Sequence, residues 1–203
     1  RHTLLLEGRR NQTAPNPFSF TVVPVRDTTT VIDFGQPVGL APRYTAGPSA
    51  LGGLALAFDR QRELLVGGAA TNLRDDLTFE AWIRPERQSD TWMPIAVKGS
   101  IGASPAFSLA LGDGGFLRLT TTDDGGEQTL TTTGGSIRLG RWAHVAAVID
   151  RSASAPQMRL YIDGVLAASA AVRAAPAKDL PATPLRIGSP ATNGSFGLWF
   201  DGA

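Results

Sequence analysis

The chain has 203 residues, 42% of them hydrophobic and 18% charged, with 23 glycines, 14 prolines and a formal net charge of +1. This composition supports one substantial core in a β-rich, turn-rich fold, and it gives no reason to expect nucleic-acid binding or membrane insertion. The absence of cysteine excludes thiol catalysis, zinc–thiolate sites and disulfides, but it leaves the cellular compartment open.

The first 50 residues predict the end of one β module followed by a linker. Residues 3–7 and 18–23 are short apolar or alternating runs, and the turn formers between them indicate a β-hairpin with a long loop. We therefore assign residues 1–25 to the terminal hairpin of a preceding module. Residues 26–50 are rich in Pro and Thr, as is typical of a linker, with one short predicted strand at residues 31–34.

From residue 51 onward, strand patterns recur about every 8–12 residues, as expected of a sandwich or barrel. Pro94 predicts an edge position or a bulge for its strand. Residues 142–149 are apolar on both faces, which indicates a central strand, and Asp163-Gly164 is a strong hairpin turn signal. The predicted strands are residues 54–58, 63–66, 78–84, 92–98, 107–111, 116–121, 128–132, 137–139, 142–149, 158–162, 165–169, 185–188 and 196–200.

Helical periodicity is weak along the whole chain. The only stretch that approaches it is the Ala-rich segment at residues 166–177, which Pro176 interrupts. The sequence therefore predicts an all-β fold, and two packed antiparallel sheets accommodate this many short strands.

Seven ordered motifs carry a family resemblance. They are residues 78–84 (TFEAWIR), 97–99 (VKG), 107–109 (FSL), 141–150 (RWAHVAAVID), 159–165 (RLYIDGV), 185–188 (LRIG) and 200–202 (FDG). In this order they resemble a laminin-G-like domain of the concanavalin A-like jelly-roll superfamily, covering residues 51–203. The resemblance implies an antiparallel jelly-roll β-sandwich, and it also implies that the strand which follows the FDG motif in such domains is missing here.

The first 23 residues resemble the closing strands of bacterial pre-peptidase C-terminal-type β domains. The similarity rests on residues 3–8 (TLLLEG) followed by residues 18–20 (FSF). It implies that the parent is a modular extracellular bacterial protein with β domains in tandem.

The sequence offers little for catalysis. A hydrolytic nucleophile needs a positioned base, and the only imidazoles are His2 and His144, with no G-x-S-x-G motif present. We expect His144 to be a core or sheet-surface residue. A glycosidase needs two carboxyl groups flanking the bond, and the matching strand offers only Glu80, which we expect to face solvent opposite Phe79 and Ala81.

A rim calcium site is the metal chemistry that the resemblance implies. In calcium-binding laminin-G-like domains an Asp on a rim loop joins an amide or carboxylate from a neighbouring loop, and Ca²⁺ takes such oxygen ligands. The corresponding residues are Asp123 and Asp124, with Asn193 in a later loop. The alternative is that these residues are turn formers only. Asp59 and Asp201 are a second candidate pair, because strands near the two ends of this fold tend to be adjacent.

Aromatic stacking on a sugar ring is the expected mode of ligand binding. We nominate Trp92 and Trp199 as ligand-binding residues, since Trp82 and Trp142 lie in the most regular strand patterns and are expected to be packed. A core role for Trp92 and Trp199 is the alternative, because tryptophan is usually well buried.

The resulting hypothesis is a non-catalytic binding module in a larger secreted or cell-surface protein. Its ligand would be a glycan or an extracellular protein held by rim loops, with a structural calcium ion, and its neighbours would be other domains of the same polypeptide. One alternative is a structural spacer in an adhesin or secreted enzyme. A less favoured alternative is a glycoside hydrolase of the same superfamily.

Overall fold

The computed structural model describes residues 3–4, 7–10, 18–21, 37–39, 43–48, 54–59, 62–67, 71–101, 103–135, 137–190 and 200–203. Among these residues there is no helix that is long and apolar enough to span a membrane. The strands are β1 Thr3–Leu4, β2 Glu7–Arg10, β3 Phe18–Thr21, β4 Pro37–Gly39, β5 Arg43–Ala46, β6 Leu54–Asp59, β7 Arg62–Val66, β8 Leu77–Ile83, β9 Met93–Lys98, β10 Phe107–Leu111, β11 Leu117–Asp123, β12 Gly126–Thr131, β13 Ala143–Asp150, β14 Gln157–Ile162, β15 Val165–Ala171, β16 Leu185–Ile187 and β17 Asp201–Gly202.

One of the two large sheets has five strands in the order β1-β8-β13-β14-β15. β13 pairs antiparallel with β8 and β14, which confirms the central position predicted for residues 142–149. Because side chains alternate along a strand, Phe79, Val145 and Leu160 point to the buried side of this sheet. The Asp163-Gly164 turn joins β14 to β15 as predicted.

The second large sheet has seven strands in the order β12-β11-β10-β9-β16-β7-β4. β9 lies inside this sheet, between β10 and β16, so the edge position considered for the strand of Pro94 is wrong. The bulge alternative is confirmed, since the register of β9 against β10 shifts between Leu109 and Ala110, and Ala110 lies opposite Pro94. The shift accommodates a residue that has no backbone N–H to donate.

Smaller sheets complete the described strands. β2 pairs antiparallel with β3, so a hairpin is present near the start of the chain. Its first strand is Glu7–Arg10 and not the predicted residues 3–7, because Thr3–Leu4 pairs with β8. β4 and β5 fall inside the range predicted as a linker, yet β4 pairs with β7, and β5 pairs with β6 beside β17. Residues 137–139 form a loop where a strand was expected, and the Ala-rich segment from residue 166 begins as part of β15. The strand predicted at residues 31–34 and most of that at residues 196–200 lie outside the described residues.

The core lies between the two large sheets. Its largest fully buried side chains come from both of them, and the rings of Phe79 and Phe107 meet across the interface with centroids 5.9 Å apart. Each such side chain contributes roughly 1.5–3 kcal/mol through burial of apolar surface. The prediction of an all-β antiparallel sandwich is confirmed. The fully buried core residues include Leu109, Leu117, Leu119, Ile149 and Leu160.

A buried arginine connects the two sheets near one end of the sandwich. Arg151 follows β13 and is 5% exposed. Its guanidinium donates to the Thr121 hydroxyl at 2.8 Å and to the carbonyls of Asp75 at 2.9 Å and Ala175 at 2.8 Å. These bonds satisfy a charge that would otherwise be costly to bury, and they fix the loops at this end.

Candidate functional site

The outward side of the five-stranded sheet carries the most exposed aromatic group among the described residues of the sandwich. The alternation that buries Phe79 and Ile83, and partly buries Ala81, turns the intervening residues of β8 toward solvent. Register then places their neighbours on β13, β14 and β15 on the same side. We call this surface the Trp82 face, and it comprises Thr78, Glu80, Trp82, His144, Ala146, Val148, Arg159, Tyr161 and Leu166.

Trp82 is held at this surface by a neighbouring histidine. The residue is 39% exposed, and its ring centroid lies 5.3 Å from that of His144 with the planes tilted by 59°. His144 Nε2 is in turn 3.6 Å from Glu80 Oε2. The three side chains form a row from carboxylate to imidazole to indole, which orients the indole while leaving part of it in solvent.

A small residue, Ala146, lies beside this row. Ala146 lies opposite Glu80 on one side and Tyr161 on the other, and His144 and Val148 flank it along its own strand. Cross-strand neighbours of this kind have Cβ atoms about 4.5–5.5 Å apart. Each surrounding side chain is larger than a methyl group, and Ala146 is only 8% exposed, so its neighbours cover most of it.

The side chains of the Trp82 face offer non-covalent contacts to a ligand. A partly exposed indole offers an apolar surface, while Glu80 accepts hydrogen bonds and Tyr161 and His144 can both donate and accept. At another edge of the Trp82 face, the Asp163-Gly164 turn contacts β13. There Asp163 Oδ1 accepts a hydrogen bond from the His144 amide at 2.8 Å. An apolar surface with a few convergent polar groups is the usual composition of a ligand site.

The expectation that Trp82 is packed is therefore wrong. A regular strand pattern does not by itself bury a residue, because the same period-two alternation that predicts Phe79 and Ile83 as core residues assigns Trp82 to the opposite side. Trp142, also expected in the core, is half-buried, and the guanidinium of Arg84 lies over its ring at 5.3 Å.

The predictions for the Glu80 carboxylate on β8 and the His144 imidazole on β13 are confirmed. Glu80 faces outward with 31% of its side chain exposed, and His144 is a sheet-surface residue with 26% exposed. Both lie on the side opposite the buried Phe79, as strand alternation requires.

Trp92 precedes β9 and is half-buried. The guanidinium of Arg118 lies over its ring, 4.2 Å from the centroid. A Cβ atom built on Gly112 would come within 2.7 Å of the same ring, so the backbone of Gly112 also lies against it. A cation–π contact of this kind occupies a ring surface that a sugar would need. The ligand-binding role assigned to Trp92 stays a prediction, and Trp199 lies outside the described residues.

The Asp123 carboxylate is already committed to an arginine. Its side chain has no exposure, and both oxygens accept Arg173 Nε at 2.9 Å, while Gln128 Nε2 and the Gly125 amide also donate to it. These contacts, led by the hydrogen bond from Arg173, hold the pKa of Asp123 below its usual value.

The calcium site expected at this rim stays a prediction. In this structure the positive charge beside Asp123 is that of Arg173, and Asp124 lies exposed in the turn between β11 and β12. Asn193, the third predicted ligand, lies outside the described residues, so the complete set of Asp123, Asp124 and Asn193 remains untested. Within the described part of the chain no three His, Asp or Glu residues are grouped closely enough to hold a metal.

Asp59 and Asp201 are adjacent, as predicted from the expected pairing of the end strands. They are direct cross-strand partners where β17 pairs with β6, and both are partly exposed. Two carboxylates do not by themselves make a calcium site, which takes six to eight oxygens.

The strand order and the inter-sheet core together define an antiparallel β-sandwich. Residues 61–203 match the family described as the concanavalin A-like lectin/glucanases superfamily. Because this match spans more than half of the chain, the protein belongs to that superfamily. The comparison with curated proteins finds no match.

Several solved structures share the fold. Domain 4 of AbnA, a GH43 extracellular arabinanase from Geobacillus stearothermophilus solved with arabinotriose, is 16% identical with a TM-score of 0.53, over 84% of this chain and 81% of that one. The CBM40 of the Ruminococcus gnavus IT-sialidase, bound to α2,3-sialyllactose, is 19% identical with a TM-score of 0.54, over 66% and 74%. Mouse laminin α1 domains LG4-5 are 14% identical with a TM-score of 0.52, over 89% and 43%. At these identities the similarity establishes the fold alone.

Proposed function

We propose that this protein is a non-catalytic binding domain that takes a neutral glycan on the Trp82 face. The observation that carries the proposal is a 39% exposed tryptophan set beside an imidazole–carboxylate pair on a sheet surface. Contact of the apolar indole surface with water is unfavourable in the free protein, and a stacked ligand would remove part of that surface from water.

The residues of the face favour an uncharged sugar. The C–H-rich side of a pyranose would stack on the Trp82 indole, and its hydroxyls would reach Glu80 and His144. Glu80 carries a negative charge next to the indole, so an anionic sugar would meet repulsion there. Arg159, the cation on the same face, is 3.9 Å from Asp150, which offsets its charge.

The comparisons support an oligosaccharide as the class of ligand, whereas the preference for an uncharged one rests on the residues of the face. Two of the solved structures with this fold carry oligosaccharides, arabinotriose in one and sialyllactose in the other. The arabinanase is described as extracellular. In line with this, we propose that the domain works outside the cell or on its surface, as a non-catalytic part of a larger protein.

A glycan array with three versions of the protein tests the site. We expect the wild type and Trp92→Ala to bind the same neutral glycans, and Trp82→Ala to lose roughly 5- to 150-fold in affinity, since stacking on an aromatic ring contributes roughly 1–3 kcal/mol. Trp92→Ala is the matched control, because it removes the same side chain from another place. Circular dichroism and a thermal melt would verify that each variant is folded.

The other outcomes separate the competing hypotheses. Loss of binding in Trp92→Ala alone would move the site to Trp92, as the sequence predicts. Binding that disappears with chelator in every version would support the calcium proposal for the rim loop. Wild-type protein that binds no glycan and no extracellular protein would favour the structural spacer.

A further inference from the structure

A second site lies on the outward side of the seven-stranded sheet, away from the Trp82 face. Arg118 lies on β11 between Leu117 and Leu119, which are both buried in the core, so strand alternation turns Arg118 outward. Its guanidinium lies over the Trp92 ring, 4.2 Å from the centroid. We propose that Arg118 binds the carboxylate of an acidic sugar at this position. The proposal is independent of neutral-glycan binding on the Trp82 face.

Arg118 differs from the other half-buried arginines in its partner. Within the described part of the chain, each of the others forms an ion pair with a carboxylate, whereas Arg118 has neither an ion pair nor a hydrogen bond. Partial burial lowers the pKa of Arg118 because it disfavours the charged form, but an arginine stays protonated at neutral pH. The other pairs are Arg74 with Asp179, Arg84 with Glu86, Arg159 with Asp150 and Arg186 with Glu63.

The tryptophan positions the cation without using its hydrogen-bond donors. The Trp92 ring is itself held against the backbone of Gly112, since a Cβ atom added to that glycine would lie 2.7 Å from the ring. An indole ring offers no lone pair to the guanidinium, so the contact leaves its five N–H donors without an oxygen acceptor. Two of these donors can meet both oxygens of one carboxylate, in the bidentate geometry that arginine favours. A carboxylate ligand would therefore supply the counter-charge that the chain does not.

Hydroxyl groups beside Arg118 favour a sugar as the carrier of this carboxylate. Thr131 lies opposite Arg118 on β12, and Thr129 is the next outward residue of the same strand. Both threonines are exposed, while Leu130 between them packs into the core. A hydroxyl both donates and accepts hydrogen bonds, which matches the hydroxyls of a sugar ring. A ligand with its carboxylate on Arg118 and its hydroxyls along β12 fits this row.

One acidic side chain lies at the far end of the same row. Glu127 is exposed on β12, and Thr129 Oγ1 donates to its Oε1 at 3.5 Å. Its negative charge offsets part of the lowering of the Arg118 pKa, although the two groups form no ion pair. The Glu127 carboxylate would repel an anionic ligand. We therefore expect its removal to strengthen binding.

An array of uronic acid oligosaccharides, each printed beside its methyl ester, tests the proposal. The ester keeps the sugar ring and its hydroxyls and removes the charge of the carboxyl group. We expect the wild-type protein to bind at least one acid and to bind it more tightly than its ester. Arg118→Gln should weaken binding of that acid by roughly 10- to 150-fold, as expected for loss of a hydrogen bond between charged groups.

Three further variants separate this site from the Trp82 face. Arg118→Lys keeps the charge and loses the paired donors, so it should recover only part of the affinity. Glu127→Gln should bind the acid several-fold more tightly. Trp82→Ala should bind the acid like the wild type, whatever its effect on neutral glycans. Thermal melts would verify that each variant is folded.

The acid–ester comparison in the wild type and the Glu127→Gln result decide the matter even if Arg118→Gln fails to fold. Equal binding of the acids and their esters would overturn the proposal, as would wild-type affinity in a folded Arg118→Gln. Loss of acid binding in Trp82→Ala would place the ligand on the Trp82 face and would also overturn it. Equally tight, Arg118-dependent binding of a hexaglutamate peptide would overturn the assignment to a sugar.

Discussion

The clearest effect of a single residue on stability is expected at Lys98. In the folded chain burial lowers its pKa to about 8, whereas an unfolded lysine titrates near 10.4. Between these values the unfolded chain binds more protons, so the free energy of unfolding must rise with pH. The stabilisation is absent below the folded pKa and complete above the unfolded one.

Denaturant unfolding at several pH values would measure this effect. We expect the free energy of unfolding to increase by about 1–2 kcal/mol from about pH 7.5 to about pH 9.5, and Lys98→Met to remove most of that slope. Burial raises the pKa of Tyr44, so measurements above about pH 10 would mix in a second group. A flat wild-type curve would contradict the burial assigned to the amine.

Tryptophan placement shows what the sequence could and could not decide at this scale. Strand alternation alone predicts which residues of β8 are buried, and it assigns Trp82 to the solvent side. The same reasoning does not reach Trp92, since its contacts with Arg118 and Gly112 join residues from different strands and loops. Likewise, the sequence around Asp123 predicts a turn. It does not predict the ion pair of Asp123 with Arg173, because Arg173 is 50 positions away. Long-range side-chain partners were the part that sequence reasoning missed.

Among the elements, the turn after β10 depends on a glycine that has no room for a side chain. Gly115 has a φ of 79°, and an added Cβ atom would lie 2.2 Å from the carbonyl oxygen of Ile137. Gly164, in the turn between β14 and β15, has a φ of 78° and nothing within 4 Å. The two positions share the same backbone requirement and differ only in their surroundings.

Alanine substitutions at these two glycines separate strain from crowding. Gly164→Ala should lower the free energy of unfolding by about 1–2 kcal/mol through its left-handed backbone alone. Gly115→Ala should cost at least about 2 kcal/mol more, because the loop at Ile137 must move. Equal losses in denaturant unfolding would show that this loop yields freely.

The element boundaries were predictable wherever alternation or a turn dipeptide was strong. The strands from β6 to β15 follow the predicted order, and the bulge opposite Pro94 follows from its missing donor. The sequence does not predict β4 and β5, because these short segments lie between prolines and glycines and have no periodicity of their own. Their pairing with β7 and β6 is decided by the sandwich and not by local sequence.

For the whole molecule, the position of β4 and β5 bears on where the domain begins. The composition predicts a linker at residues 26–50, which would make residues 51–203 an independent unit. The pairing of Pro37–Gly39 with β7 and of Arg43–Ala46 with β6 adds strands to that unit from before residue 51. Removing β4 and β5 would expose the edges of β7 and β6. Because exposed strand edges are unfavourable, this should lower the stability of the sandwich.

Two truncations would locate the boundary. We expect deletion of residues 1–25 to lower the melting temperature only slightly, since the sandwich loses only the two-residue pairing of β1 with β8. Deletion of residues 1–50 should lower it by more than about 5 °C and increase aggregation, since β7 and β6 each lose a partner. Equal melting temperatures would favour the linker interpretation.

The hairpin turn at Asp163-Gly164 ends beside His144, at the border of the Trp82 face. An insertion at this tip would extend into solvent and overhang the indole without entering the core. Members of this superfamily that lengthen the turn would thus acquire a new wall for their ligand while keeping the same scaffold. Ligand selectivity would then change at this one loop, while the packing that stabilises the sandwich would stay the same.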